Sequence, residues 1–239
     1  SLKAMHGGGR AVLGFSEAGS HRVVDLRECP VADPALAALF DPLRRYFSQL
    51  RRKFAISVEL TRIDQGVDCL LSGYVPEGLA ATESLLDLCR ETGLARLTLD
   101  GGDGPETFWE PEPVTISFDR VPVAFPAGAF LQATPQGEAA LLAAAREWLA
   151  GCARVADLFA GLGTFAVPLA RGCSVLAAEG DRAAIMALKA AATRARLPVE
   201  VQHRDLFRNP LRPVELAGFD GVLLDPPRGG ARAQVEQLA

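Results

Sequence analysis

From about Phe130 to its end the chain alternates helical and strand-like segments, and this alternation constrains the fold more than any other feature. TPQGEAALLAAAREWLA reads as a helix, with Thr134 as N-cap and Pro135 in the first turn. ARVADLFAG reads as a strand, TFAVPLARG as a helix, CSVLAAEG as a strand and DRAAIMALKAAATRARL as a helix. VEVQHRD and GFDGVLLDPP supply two more strands. Such alternation predicts an α/β fold, a parallel sheet with helices on both faces. Four strands are readable where an open sheet of this class holds about seven.

The first half has a different texture. Asp33-Pro34 and Asp41-Pro42 each read as an N-cap followed by proline at the first helical position. Leu36, Leu39, Phe40, Leu43, Phe47 and Leu50 follow helical spacing. FAISVEL and CLLSGYV read as strands joined by a turn around Asp64-Gln65-Gly66. Residues 80–92 read as a helix ended by Gly93. RLTLD and PVTISFD read as further strands, separated by the loop GGDGPE. Together these predict a small α+β domain on a mostly antiparallel sheet, over 10–126, followed by the α/β domain over 127–239. The Gly7-Gly8-Gly9 run reads as a flexible lead-in and the opening Ser-Leu as an expression scar.

Composition narrows the class. The 239 residues are 49% hydrophobic and 23% charged, which excludes a disordered chain. Net charge is -4, so a wholly basic nucleic-acid module is not expected, although Arg44, Arg45, Arg51, Arg52 and Lys53 form a local basic run. That run reads as a solvated helix face, with an RNA-facing patch as its alternative. Five cysteines, with no close pair, argue against a disulfide scaffold and for a cytoplasmic protein. No stretch is long and apolar enough to span a bilayer, and the start lacks the apolar core of a signal peptide. His6, His21 and His203 have no metal-ligand spacing.

The chemistry sits at strand ends. Phe159-Ala160-Gly161-Leu162-Gly163-Thr164 closes one strand and opens a helix, and its glycines let the backbone turn sharply and approach a ligand. Glu179 closes the next strand, where an acid can take both hydroxyls of a ribose. The loop lacks the third glycine of a dinucleotide fingerprint, and no lysine follows as in a phosphate-binding loop. A nucleoside without a pyrophosphate therefore fits better than NAD or ATP. Asp205 closes the third strand, either as a solvated acid or as an adenine contact. Asp225 closes the fourth, ahead of the stiff Pro226-Pro227 turn and Arg228.

DLFAGLGTFAVPLA, AAEGD and LLDPPRGGA together resemble the RNA uracil-C5 methyltransferase family, which makes 5-methyluridine in 23S ribosomal or transfer RNA with S-adenosylmethionine. FLQATPQGEAAL is similar to that family's F-x-Q-x-N segment, and SHRVVDLRECPV to the start of its central domain. The resemblance implies a Rossmann-like class I methyltransferase sheet beside a smaller α+β domain, in a monomer acting on structured RNA. It implies cofactor contacts at Gln132, Phe159, Gly161, Gly163, Thr164, Glu179, Asp205 and Asp225. Glu179 would hold the ribose, Asp205 the adenine amino group, and Gln132 and Asp225 the region near the methionine end and target base. Thr134 and Thr164 stand where the family favours Asn, and Ala160 where it favours Cys; none of these removes a charge.

The family mechanism uses a cysteine thiolate that attacks C6 of uracil and a carboxylate that later removes the C5 proton. Neither the S-C-N-P segment carrying that cysteine nor the base is present before Ala239. Cys69, Cys89, Cys152 and Cys173 match no such motif and read as buried apolar cysteines. The expectation is a fragment that forms the cofactor site but is inactive alone. Cys29, in RECPV, resembles the last of four iron–sulfur ligands in many family members, and the other three are missing here. Two other readings stay open on sequence grounds: a methyltransferase of another RNA base, and a non-catalytic RNA-binding scaffold.

Overall fold

A computed structural model describes residues 2–7, 10–17, 19–20, 22–50 and 53–238. Gly8 and Gly9 of the glycine run, His21, Arg51 and Arg52 of the basic run, Ser1 and Ala239 lie outside the described residues. The chain divides into two compact units, Ser1–Val114 and Thr115–Ala239.

The first unit is built on a seven-stranded sheet in the order β3-β2-β1-β4-β5-β6-β7. Its strands are β1 (Leu2–Gly7), β2 (Arg10–Ser16), β3 (Val23–Asp25), β4 (Ala55–Ile63), β5 (Gly66–Ser72), β6 (Arg96–Asp100) and β7 (Pro105–Trp109). All neighbours are antiparallel except β5 and β6, which are joined by a crossover through helix α3 (Gly78–Thr92). Helices α1 (Pro34–Ala37) and α2 (Phe40–Ser48) precede β4. Leu39, Phe40, Leu43 and Phe47 recur at helical spacing and are buried in one core with Leu13, Ile56, Val58, Leu71 and Leu85.

Four expectations for this unit need correction. Of the residues read as a scar and a lead-in, Leu2 and Gly7 belong to strand β1: Leu2 is 6% exposed and pairs with Val58, and Gly7 ends the strand opposite Arg10. The alternation of Leu2 and Ala4 is too short to stand out in sequence, so the expected start at residue 10 misses a central strand. Asp41 is not an N-cap. Helix α2 starts two residues earlier, with Leu39 at the cap, and the Asp41 carboxylate accepts from Arg44 instead. Arg44 itself is no part of a solvated face. It is 8% exposed, and its guanidinium bonds the Asp25 carboxylate at 3.3 Å and the Leu26 carbonyl, pinning the loop after β3. Strand β7, within a stretch that reads as loop and connection, was not expected at all.

The second unit opens with a hairpin of β8 (Thr115–Phe118) and β9 (Val121–Ala124). Asp119 and Arg120 turn it with φ of 47° and 65°, the left-handed pair of a type I′ turn. The hairpin lies before the expected boundary at 126 but is tied to this unit. Arg194 donates to the Pro122 carbonyl at 2.7 Å and Arg171 pairs with Asp119 at 3.1 Å. There follow α4 (Pro135–Trp148), β10 (Arg154–Leu158), α5 (Ala166–Leu169), β11 (Ser174–Glu179), α6 (Arg182–Ala195), β12 (Val199–His203), α7 (Pro213–Leu216), β13 (Gly221–Leu224) and α8 (Arg232–Val235).

Strands β12-β11-β10-β13 form a wholly parallel sheet, as the alternation predicts. Ala156, Leu158, Leu176 and Ala178 bury one face against Leu206, Leu211 and Leu216. The Asp181 carboxylate caps α6 and the Thr134 hydroxyl caps α4, each accepting backbone N–H groups. The chain runs outward from β10 through β11 to β12, then returns to the other side of β10 as β13. Ligands in open α/β sheets bind at such a reversal, outside the carboxyl ends of the strands. Among the described residues no helix is long and apolar enough to cross a membrane.

Candidate cofactor site

The residues expected at the site gather at the carboxyl edge of the parallel sheet. Phe159 and Ala160 extend the ladder past β10, both donating to the Ala178 carbonyl at 3.0 and 3.1 Å. Phe159 has φ of 65°, a conformation that costs a bulky residue about 1–3 kcal/mol and that persists where the surroundings enforce it. Gly161 follows with φ of 54° and nothing within 4 Å of where a side chain would start. Its N–H donates to Glu179 Oε2 at 3.0 Å, while Glu179 Oε1 accepts from the Asp181 N–H at 2.7 Å. Two backbone donors thus fix this carboxylate at the tip of β11. Each oxygen keeps a lone pair for a further donor.

Gly163 serves another purpose. Its φ is 92°, and a Cβ there would lie 2.5 Å from Leu188 Cδ1 on α6. The absence of a side chain there lets the turn pack closely on that helix. Thr164 lies half-buried in the same turn.

Asp225 stands beside β10, with its N–H 3.5 Å from the Leu158 carbonyl. Gln132, in the segment ahead of α4, donates from Nε2 to Asp225 Oδ2 at 2.9 Å. A carboxylate only accepts, so the amide nitrogen must face it and the amide oxygen is left to accept elsewhere. Asp205 lies beyond β12. Its Oδ1 accepts from the N–H groups of Phe207 and Arg208 at 3.0 and 3.2 Å, so it shapes its own loop and keeps Oδ2 toward solvent and Arg208. That loop is clamped by Arg204, which donates to Glu215 at 2.7 Å and to the Asn209 and Pro210 carbonyls. The Arg204 hydrogen bond is the main reason the Glu215 carboxyl is held down to about 2.

Two residues at this edge were not expected. Phe207 is 51% exposed, and its ring lies 5.3 Å from that of Phe159. Asp157, the fourth residue of β10, has no exposed surface and no hydrogen-bond partner for either carboxylate oxygen. Burial, then the charges of Asp225 and Glu179, push it up to about 7; the nearby Ala166 N–H offsets this in part without reaching hydrogen-bond geometry. An acid in the middle of the apolar run RVADLF was the signal available in sequence.

Other expectations lie away from this edge. Cys69 and Cys89 are buried in the first unit, where burial pushes the Cys89 thiol up to about 12. Cys152 and Cys173 are half-buried beside the starts of β10 and β11, at the opposite edge of the sheet. A cavity of about 380 Å³ opens at that opposite edge too, lined by Arg154, Ser174, Leu197, Val199 and Phe219, and it holds none of the site carboxylates. Cys29 is half-buried in the first unit. Among the described residues no group of three or more His, Cys, Asp or Glu side chains could hold a metal ion, so Cys29 lacks the companions a cluster needs.

No protein-family model matches the chain. A protein of Zymomonas mobilis named as an uncharacterized RNA methyltransferase is 45% identical over 240 residues, covering 100% of this chain and 60% of its own length. The 23S rRNA (uracil(1939)-C(5))-methyltransferase RlmD of Pectobacterium carotovorum is 32% identical over 235 residues, which are 96% of this chain and 52% of that protein. The chain thus spans between half and two thirds of the length of these relatives. Among solved structures, the Pyrococcus abyssi tRNA (uracil-54, C5)-methyltransferase in complex with S-adenosyl-L-homocysteine superposes with a TM-score of 0.71 at 19% identity, over 99% of this chain and 62% of its own. The Methanocaldococcus jannaschii tRNA m1G37 methyltransferase gives 0.53 at 14% identity, over 77% of this chain and 57% of its own. These likenesses show the Rossmann-like methyltransferase fold. Along its length the chain is a homologue of proteins named as RNA methyltransferases, a 23S rRNA uracil-C5 methyltransferase among them.

Proposed function

We propose that the second unit binds S-adenosylmethionine and that the chain is part of an RNA uracil-C5 methyltransferase, with 23S ribosomal RNA as its substrate. The observation that carries the cofactor reading is the Glu179 carboxylate, fixed by the Gly161 and Asp181 N–H groups at the strand-order reversal. A carboxylate held this way suits the paired hydroxyls of a ribose. The open position at Gly161 leaves room for a ligand against the backbone. The orphaned Asp157 and the absence of any cation paired to Asp157, Glu179 or Asp225 among the described residues suit a ligand carrying positive charge. These residues therefore fit the cofactor.

Glu179 is assigned to the ribose and Asp205 to the adenine amino group. Gln132 and Asp225 are assigned to the methionine end and the target base, with the Gln132 amide oxygen free to accept. When bound, S-adenosylmethionine supplies an electrophilic methyl group. The chain's own residues hold and orient it at the strand edge, so that the reacting atoms meet at short range. The thiol chemistry is not carried by the cysteines described here. Two lie in the core of the first unit, two at the wrong edge of the sheet, and Cys29 outside this unit altogether. We assign the nucleophile for uracil C6 to a segment of the longer protein, and the chain by itself is expected to bind cofactor without turnover.

The uracil and 23S assignments rest on the Pectobacterium relative, 32% identical over almost the whole chain. The test, run with the longer protein of which this chain is part, is transfer of labelled methyl from S-adenosylmethionine to 23S ribosomal RNA, to transfer RNA and to 23S RNA lacking uridine C5–H at the modified position. Label at uracil C5 of 23S RNA supports the proposal. Label on another base, or on transfer RNA alone, contradicts it.

A further inference from the structure

Asp157 near the end of β10, Glu179 at the end of β11 and Asp225 just after β13 lie on three adjacent strands of one parallel sheet. Glu179 is satisfied by two backbone N–H groups and Asp225 by the Gln132 amide. Asp157 is satisfied by nothing: it is wholly buried and both of its oxygens lack a partner. None of the ion pairs among the described residues involves any of the three. Three carboxyl groups without a counter-cation repel one another, and the one that loses most by ionising is the buried one. An uncompensated carboxylate in that place is costly, so the resting site keeps a proton there. A ligand that brings positive charge to these carboxyls offsets their repulsion and favours the ionised form of Asp157.

The cofactor proposed above and its product differ in that charge. S-adenosylmethionine has a sulfonium in addition to its ammonium and carboxylate, giving one net positive charge. S-adenosylhomocysteine is a neutral thioether at the same atom and has no net charge. We infer that Asp157 is a specificity-determining group that selects the sulfonium cofactor over its thioether product, giving up its proton to solvent when the cofactor binds and regaining it when the methyl group has been transferred. The proton so released balances the charge that enters with the sulfonium. The inference rests on the cofactor reading above and adds to it a reason for product release.

The groups that face Asp157 are few. Glu179 from β11 and Asp225 from the end of β13 are carboxylates, and α5 offers only the Ala166 N–H. His203 is exposed at the end of β12, opposite Glu179 in the ladder and bonded to the Gly180 carbonyl at 3.0 Å. As an ionisable side chain at the same edge of the sheet, it must be separated from Asp157 in the experiment.

The experiment is isothermal calorimetry of the 239-residue chain with each of the two ligands, in buffers of different ionisation enthalpy, from pH 6 to pH 8. With a carboxyl that titrates near 7, S-adenosylmethionine should release about half a proton at pH 7, and its affinity should rise roughly tenfold from pH 6 to pH 8. S-adenosylhomocysteine should release almost none, with a nearly flat affinity. His203→Gln should keep this behaviour. Asp157→Asn, which preserves volume, should abolish the proton release and bring the two affinities within about threefold of each other. Equal proton release for both ligands, or none for either, overturns the inference while the cofactor reading stands, and wild type alone decides this if Asp157→Asn does not fold. Loss of the release in His203→Gln overturns it as well. No binding of either ligand overturns the inference together with the cofactor reading.

Discussion

Gln132 and Asp225 are 93 residues apart in the chain and meet at 2.9 Å, amide nitrogen to carboxylate oxygen. This bond ties the segment ahead of α4 to the carboxyl end of β13, and it sets which atom of the amide faces the site. Gln132→Leu should leave Asp225 without a partner and loosen the Pro226-Pro227 turn. We expect cofactor affinity to fall roughly tenfold to 150-fold, the scale of one hydrogen bond to a charged group. Titration of the variant with S-adenosylmethionine measures it, and undiminished affinity would remove Gln132 from the site.

The two glycines of the strand–helix turn should separate by phenotype. A Cβ on Gly163 meets Leu188 at 2.5 Å and sits on a backbone with φ of 92°. Gly163→Ala should therefore cost stability, about 2–4 kcal/mol from overpacking and backbone strain together. Gly161→Ala meets nothing within 4 Å and should cost only about 1 kcal/mol for its φ of 54°. Its larger effect should be on ligand binding. Urea unfolding and ligand titration of both variants check the contrast, and the same profile for both would contradict it.

Asp157 makes the free protein's stability depend on pH. Its folded-state carboxyl titrates near 7, whereas in the unfolded chain it titrates near 4. Between those values the folded state holds a proton that unfolding releases, so stability falls as pH rises from about 4 to about 7. Asp157→Asn should lose that slope and be the more stable protein, relative to wild type, at pH 8 than at pH 5. Urea midpoints at the two pH values measure this. A slope unchanged by the substitution would mean that Asp157 is not the titrating group.

The Arg204–Glu215 clamp acts in the opposite sense. Glu215 is held down to about 2, so its contribution is present above the ordinary carboxyl range and is lost as pH falls toward 2. Arg204→Ala should free the loop that carries Asp205 and Phe207. Amide hydrogen exchange at Phe207 and Asn209 should accelerate more than tenfold, with that in β10 unchanged. Protection that stays equal to wild type would show that the loop is held by other means.

The parallel half of the fold was legible because its strands are apolar runs punctuated by glycine and acid, and those acids all emerge at one edge. The N-caps Thr134 and Asp33 were legible for the same local reason. What escaped was non-local. Strand β1 carries only Leu2 and Ala4 as core residues, and its place between β2 and β4 depends on pairings up to residue 58. Arg44 reads as a surface charge until the Asp25 loop folds over it. The β8–β9 hairpin is held by Arg171 and Arg194 from another part of the chain, which moves the division between the units to Val114 and Thr115. At the site, the acids at strand tips were visible as a pattern. The orphaned state of Asp157 was not, because partners are a property of packing and not of spacing.

The central claim is that Glu179, fixed by the Gly161 and Asp181 N–H groups, holds the ribose of S-adenosylmethionine at the carboxyl edge of the sheet. The most direct measurement is the dissociation constant of S-adenosylmethionine for the wild-type chain and for Glu179→Ala. A charge-assisted hydrogen bond of about 1.5–3 kcal/mol predicts saturable binding in the wild type and a loss of roughly tenfold to 150-fold in the variant. Equal affinity in the two proteins, or no binding by a folded wild type, would contradict the account.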